Sequence, residues 1–153
     1  DDAAKKQYRS LLSFATGASL PDNAVITKVT LKVKRQGVTG GGDPVATFQG
    51  FMLDIRKGTF GTAVLQLTDF QTTAQKTIGP FSPALASGWY TFNLTSLKAQ
   101  INKLATGSGV TQIRLRFKLG DNNNTIANYL SLYSGNYGTA SARPQLIVEY
   151  YVP

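Results

Sequence analysis

The sequence predicts an all-β fold: a jelly-roll β-sandwich with one short helix, formed as a single domain over residues 1–153. Three observations predict it. Apolar and polar residues alternate with period two in several short stretches. Turn residues separate those stretches at short intervals. The chain is also low in charge (16%) and carries 15 glycines, a composition closer to a compact β protein than to a helical or disordered one.

The elements follow in order. Tyr8–Phe14 reads as a first strand, stopped by Thr16-Gly17. In Val25–Arg35, Val29, Leu31 and Val33 alternate with Lys28, Thr30, Lys32 and Lys34, so one face is apolar and the other basic. Phe48–Arg56 places Phe51, Leu53 and Ile55 on one face and Met52, Asp54 and Arg56 on the other. Thr62–Leu67 is a weaker strand. Trp89–Leu94 buries Tyr90, Phe92 and Leu94, leaving Trp89 on the opposite phase. Thr95 or Ser96 can cap a helix whose Leu97, Ile101 and Leu104 recur at helical spacing, with Gly107 as its stop. That helix is expected to close one end of the sandwich. In Val110–Leu119, Ile113, Leu115, Phe117 and Leu119 alternate with Gln112, Arg114, Arg116 and Lys118. Tyr129–Ser134 and Gln145–Val152 complete the set. Leu20-Pro21-Asp22-Asn23, Gly40–Pro44, Gly79-Pro80 and Gly120–Asn124 are the turns between them.

Composition narrows the chemistry. The chain has no cysteine and no histidine. Disulfides, thiolate metal sites and the commonest general base are therefore absent. Serine-hydrolase chemistry lacks its base. Glycosidase chemistry needs two paired carboxylates, and Asp54 and Asp69 would pair only by chance among eight acids. Gly40-Gly41-Gly42 lacks the lysine and hydroxyl of a phosphate loop. A non-catalytic protein is expected. No stretch approaches the 18 or so apolar residues of a membrane span, and Asp1-Asp2 reads as a mature or trimmed start.

Sixteen Lys and Arg against eight acids give a net charge of +8, which favours polyanionic partners. Two basic combs are the first candidate site: Lys28, Lys32 and Lys34 on one strand, and Arg114, Arg116 and Lys118 on another. Same-face residues repeat about every 6.5–7 Å along a strand, a spacing suited to a polymer of regular charge. Arg also grips carboxylates with paired hydrogen bonds. Trp89 is the aromatic candidate, with Tyr129, Tyr133, Tyr137 and Tyr151 as lesser ones; exposed rings stack on sugar faces. Nucleic acid is the outsider, since no basic helix or RNA-binding aromatic strand is present. Gly120-Asp121-Asn122-Asn123-Asn124 is oxygen-rich, but one full charge and no EF-hand spacing make a turn the simpler reading. Asp121 is the weak metal candidate, for a structural calcium; no other cofactor is expected.

Several of these stretches together carry a resemblance. Tyr8-Arg9-Ser10-Leu11-Leu12-Ser13-Phe14 precedes Leu20-Pro21, Ala24-Val25-Ile26 and Val29-Thr30-Leu31. Gly88-Trp89-Tyr90-Thr91-Phe92-Asn93-Leu94-Thr95 follows, then Ser134-Gly135-Asn136 and Arg143-Pro144-Gln145-Leu146-Ile147-Val148-Glu149-Tyr150. From about Tyr8 to Tyr150 this order resembles the DNRLRE-type domain of bacterial and archaeal surface proteins, and is similar to a related carbohydrate-binding module family. The resemblance implies a jelly roll found beside adhesins, surface-layer modules and glycan-degrading enzymes. It implies a secreted or cell-surface location and acidic polysaccharide, such as alginate, as partner. It supplies no catalytic residues.

One departure bears on assembly. Members of that family usually carry an additional strand ahead of the Arg-x-Leu-Leu-x-Phe stretch, whose strand, Tyr8–Phe14, here begins after seven residues. Either the chain is trimmed or a neighbouring copy supplies the strand. An unfilled edge invites strand addition, so a fibre, pilus or surface-layer subunit is the alternative expectation to a glycan-binding module.

Overall fold

The alternation read from the sequence is realised in a computed structural model that describes residues 1–153. Eight strands form: β1 Ser10–Phe14, β2 Val25–Thr39, β3 Phe51–Lys57, β4 Lys76–Phe81, β5 Trp89–Asn93, β6 Thr111–Phe117, β7 Tyr129–Leu132 and β8 Gln145–Tyr151. They make two antiparallel sheets. The first runs β1-β6-β3-β4. In the second, β2 has β5 on one side, and β8 followed by β7 on the other. A register shift between Arg35 and Gly37 is where β2 changes partner from β8 to β7. The expected all-β sandwich is present.

The inward phase of each strand builds the core. Val29, Leu31 and Val33 from β2, with Tyr90 and Phe92 from β5 beside them, share one core with Phe51, Leu53 and Ile55 from β3 and Ile113 and Leu115 from β6, and all are buried. Phe51 meets Phe92 edge-on and lies stacked against Phe117, with ring centroids 5.3 and 5.0 Å away. Along one side, the chain crosses from β4 to β5 and Phe81 packs on Phe92, closing the sandwich there.

Three expectations change. The helix after Thr95 is a 3-10 turn, Thr95–Gln100, and Ile101 is already extended. Leu97 and Ile101 are buried as expected, but Leu104 is exposed. The Asn102 side chain explains the stop: it accepts from Leu104 N–H and donates to Thr106 O, while Asn102 N–H goes to Thr111 Oγ1. Other short helical turns appear instead, among them α1 Thr16–Ser19 and α2 Pro44–Thr47, the latter capped by the Asp43 carboxylate. Thr62–Leu67 forms no strand. The strand β4 occupies Gly79-Pro80, read as a turn; it is a sheet edge, where proline is tolerated. No helix is long and apolar enough to cross a membrane.

Candidate functional site: two outer faces and an open seam

The two basic combs lie on different sheets, so they form no common patch. The β6 comb is mostly spent within the molecule. Arg114 points away from the core, as its phase requires, yet it is only 5% exposed. The segment between β3 and β4 folds over it. Its Nη2 lies 2.8 Å from Asp54 Oδ2, and its Nη1 donates to the carbonyls of Asp69 and Thr72 at 2.7 and 2.9 Å. Its guanidinium covers the buried ring of Phe60, 4.4 Å from the centroid. Arg116 donates to the same carboxylate at 3.1 Å. Asp54 also accepts from Thr77 Oγ1 at 2.6 Å. Burial works against the charged form of Asp54, but hydrogen bonds from Arg116, Thr77 and Arg114 outweigh it and hold its pKa below the ordinary value.

Two further arginines secure the same segment. Arg9 lies over the Phe70 ring and donates to Phe70 O; Arg56 donates to Thr73 O. The expectation that Arg114 and Arg116 present free charge to a polymer is therefore corrected. An outward phase on a strand guarantees water only if nothing else covers the sheet. Lys118 lies just beyond the end of β6 and is exposed.

The β2 comb remains on an open face. Lys28 pairs with Glu149 of β8 at 2.7 Å, both about half exposed. Lys34 lies opposite Trp89 in the β2–β5 register. Lys32 and Lys34 place their Nζ atoms 5.0 and 5.8 Å from the Trp89 ring, and Lys34 is 5.9 Å from Tyr133. Tyr133 lies against Tyr137 with centroids 4.5 Å apart. Trp89 and Tyr133 are half-buried and Tyr137 is exposed. Two cations and three rings thus share the outer face of the second sheet, the combination cation–π contacts favour.

Side-chain oxygens of the Gly120–Asn124 turn are engaged by the local backbone. Asp121 Oδ1 accepts from Asn123 N–H, Asn122 Oδ1 from Asn124 N–H and Asn124 Oδ1 from Ile126 N–H. These are successive side-chain turns, and no three His, Cys, Asp or Glu side chains gather there or elsewhere.

The feature least visible in the sequence is a groove of about 810 Å³ on the side opposite the β4–β5 crossing. Its long walls are β1, an edge of the first sheet, and β8, a lateral strand of the second. Leu12 and Phe14 from β1 and Leu146 and Val148 from β8 pack on the core but are only partly buried. The main chain of β8 is oriented into this seam. Val29 O accepts from Leu94 N–H, so the main-chain groups of Val29, and by alternation Leu31, face the β5 side. Their β8 partners Val148 and Leu146 must then face away from β2, toward the seam. No other backbone group bonds to them, nor to the free side of β1. The sandwich is closed along one side and open along the other.

Compared with family models, curated proteins and solved structures, the chain matches none of them.

Proposed function

We propose that this protein is a non-catalytic structural subunit of an extracellular assembly, joined to its neighbours by adding a strand to the β1–β8 seam. The open seam carries the reading. Two facing edges there have unpaired main chain and half-covered core side chains, and a strand satisfies both needs together. An unpaired strand edge is a template for another strand, and partly exposed Leu and Val side chains gain from cover. The extracellular setting rests on the resemblance to surface-protein domains.

The test is the size of the protein against concentration. The wild type should form higher species as concentration rises. Val148→Pro removes one outward-facing N–H without removing a bond to β2, and should hold the protein as a monomer. A wild type that stays monomeric at every concentration contradicts the reading.

A second reading keeps the acidic polysaccharide as ligand, confined to the outer face of the second sheet. The Lys32–Lys34–Trp89 cluster favours it: rings offer stacking surface and the amines offer charge. The two readings use different surfaces and are compatible, as in a matrix fibre that also binds glycan.

A further inference from the structure

We infer that the strand filling the seam is the Thr62–Leu67 segment of a second copy of this chain, so that subunits join head to tail. This rests on the assembly role proposed above and names the donor. Val64, Leu65 and Leu67 are 72%, 74% and 97% exposed, the largest exposures among the large hydrophobic side chains of the protein. Single exposed leucines are ordinary, but a contiguous apolar tip on a small protein marks a contact surface.

The segment is suited to becoming a strand. Ala63, Leu65 and Leu67 fall on one phase of an extended chain; on the other, Thr62 and Gln66 are polar and Val64 is apolar. No backbone–backbone hydrogen bond engages Thr62, Ala63, Val64 or Leu65; Val64 O accepts only from Thr62 Oγ1, while Gln66 and Leu67 belong to the capped 3-10 turn Leu67–Phe70, which must open at its first residue for the full segment to pair. Both flanks are fixed to the body: Phe60 lies beneath Arg114, and Asp69 O accepts from the same guanidinium. The apolar tip is thus presented from two anchored ends, which lowers the ordering cost of docking.

Donor and acceptor also match in charge. Gly61–Thr68 holds no charged residue, and Arg143 is the single charge among the sixteen residues lining the seam. In a chain of net charge +8, these are surfaces that two copies can bring together with little repulsion. Sixteen residues fall short of the roughly 20–30 per side of a standard stable interface. One joint is therefore weak, and assembly should depend steeply on concentration. No residue of Thr62–Leu67 lines the seam of its own subunit, so donor and acceptor are separate surfaces, and a joint that is not reciprocated is heterologous. Heterologous contacts close into rings or run on as filaments.

The test uses sedimentation velocity on the full chain with two variants. Leu65→Asp/Leu67→Asp removes the donor and leaves the seam intact. Val148→Pro disables the seam and leaves the donor intact; Tyr150→Lys, at an exposed seam position, serves the same purpose with little risk to the fold. Each variant alone should lose all species above monomer. An equimolar mixture should form 1:1 dimers that grow no further, since only one joint is available. If the seam variants stop growth but Leu65→Asp/Leu67→Asp grows as the wild type does, the donor is another segment: the inference is overturned and the assembly reading stands. If all variants grow like the wild type, both are overturned.

Discussion

Asp54 and Arg114 are register partners on neighbouring strands, with Oδ2 and Nη2 at 2.8 Å, and a loop from the same subunit shuts both from water. What begins as two outward-facing polar residues on a sheet becomes the anchor of the segment that crosses it. Removing one partner of a buried pair leaves an uncompensated charge and costs about 3–5 kcal/mol. Asp54→Ala and Arg114→Ala should each lower the urea midpoint accordingly. Arg116→Ala should cost far less, about 1 kcal/mol, because its side chain is 26% exposed. Equal losses for Arg114→Ala and Arg116→Ala would refute the anchoring role of Arg114.

The same pair sets an acid limb. The folded pKa of Asp54 is below its ordinary value despite burial, because Arg116, Thr77 and Arg114 hydrogen-bond its charged form. A carboxylate lowered in this way contributes stability in full above its unfolded pKa, about 3.9. That contribution is lost as pH falls through the lower folded value. Chemical melts of the wild type should weaken steeply below about pH 4. Asp54→Asn should start from a lower midpoint and show a shallower acid limb. An acid limb of unchanged steepness in Asp54→Asn would assign the effect to other acids.

On the opposite face, Trp89 is the single tryptophan, so its fluorescence reports that site alone. Alginate at low salt should change Trp89 emission, and added salt should reverse the change as exposed charges are screened. Lys32→Gln/Lys34→Gln removes two half-buried cations over the Trp89 ring, each worth about 0.5–1 kcal/mol, and should weaken binding roughly tenfold. Emission indifferent to alginate, or binding indifferent to the double substitution, would exclude the face as the glycan site.

The sequence carried the sandwich well because its evidence is local. Val29, Leu31 and Val33 can share a face only in a strand, and all three are buried. Pairing between strands is not local. Nothing in Lys32 or Arg116 says that their strands belong to opposite sheets. Nor does Arg114 itself announce that Asp69 and Thr72, more than forty positions away, will cover it. Thr62–Leu67 reads as a weak strand but forms none: Thr62–Gln66 is irregular and Leu67 opens a 3-10 turn. In β4, Gly79-Pro80 looked like a break because the sequence does not show which strands are edges. The seam leaves no local mark in the sequence. Its walls, Leu12 and Phe14 against Leu146 and Val148, are brought together by topology from opposite ends of the chain.

Amide hydrogen exchange tests the open seam most directly. In dilute subunit, the N–H groups of Leu146 and Val148 should exchange fast while those of Ile147 and Glu149, facing β2, stay protected. At concentrations where larger species form, Leu146 and Val148 should become protected as a strand is added. Protection of all four amides already in the dilute monomer, or no gain at Leu146 and Val148 on assembly, would contradict strand addition at this edge.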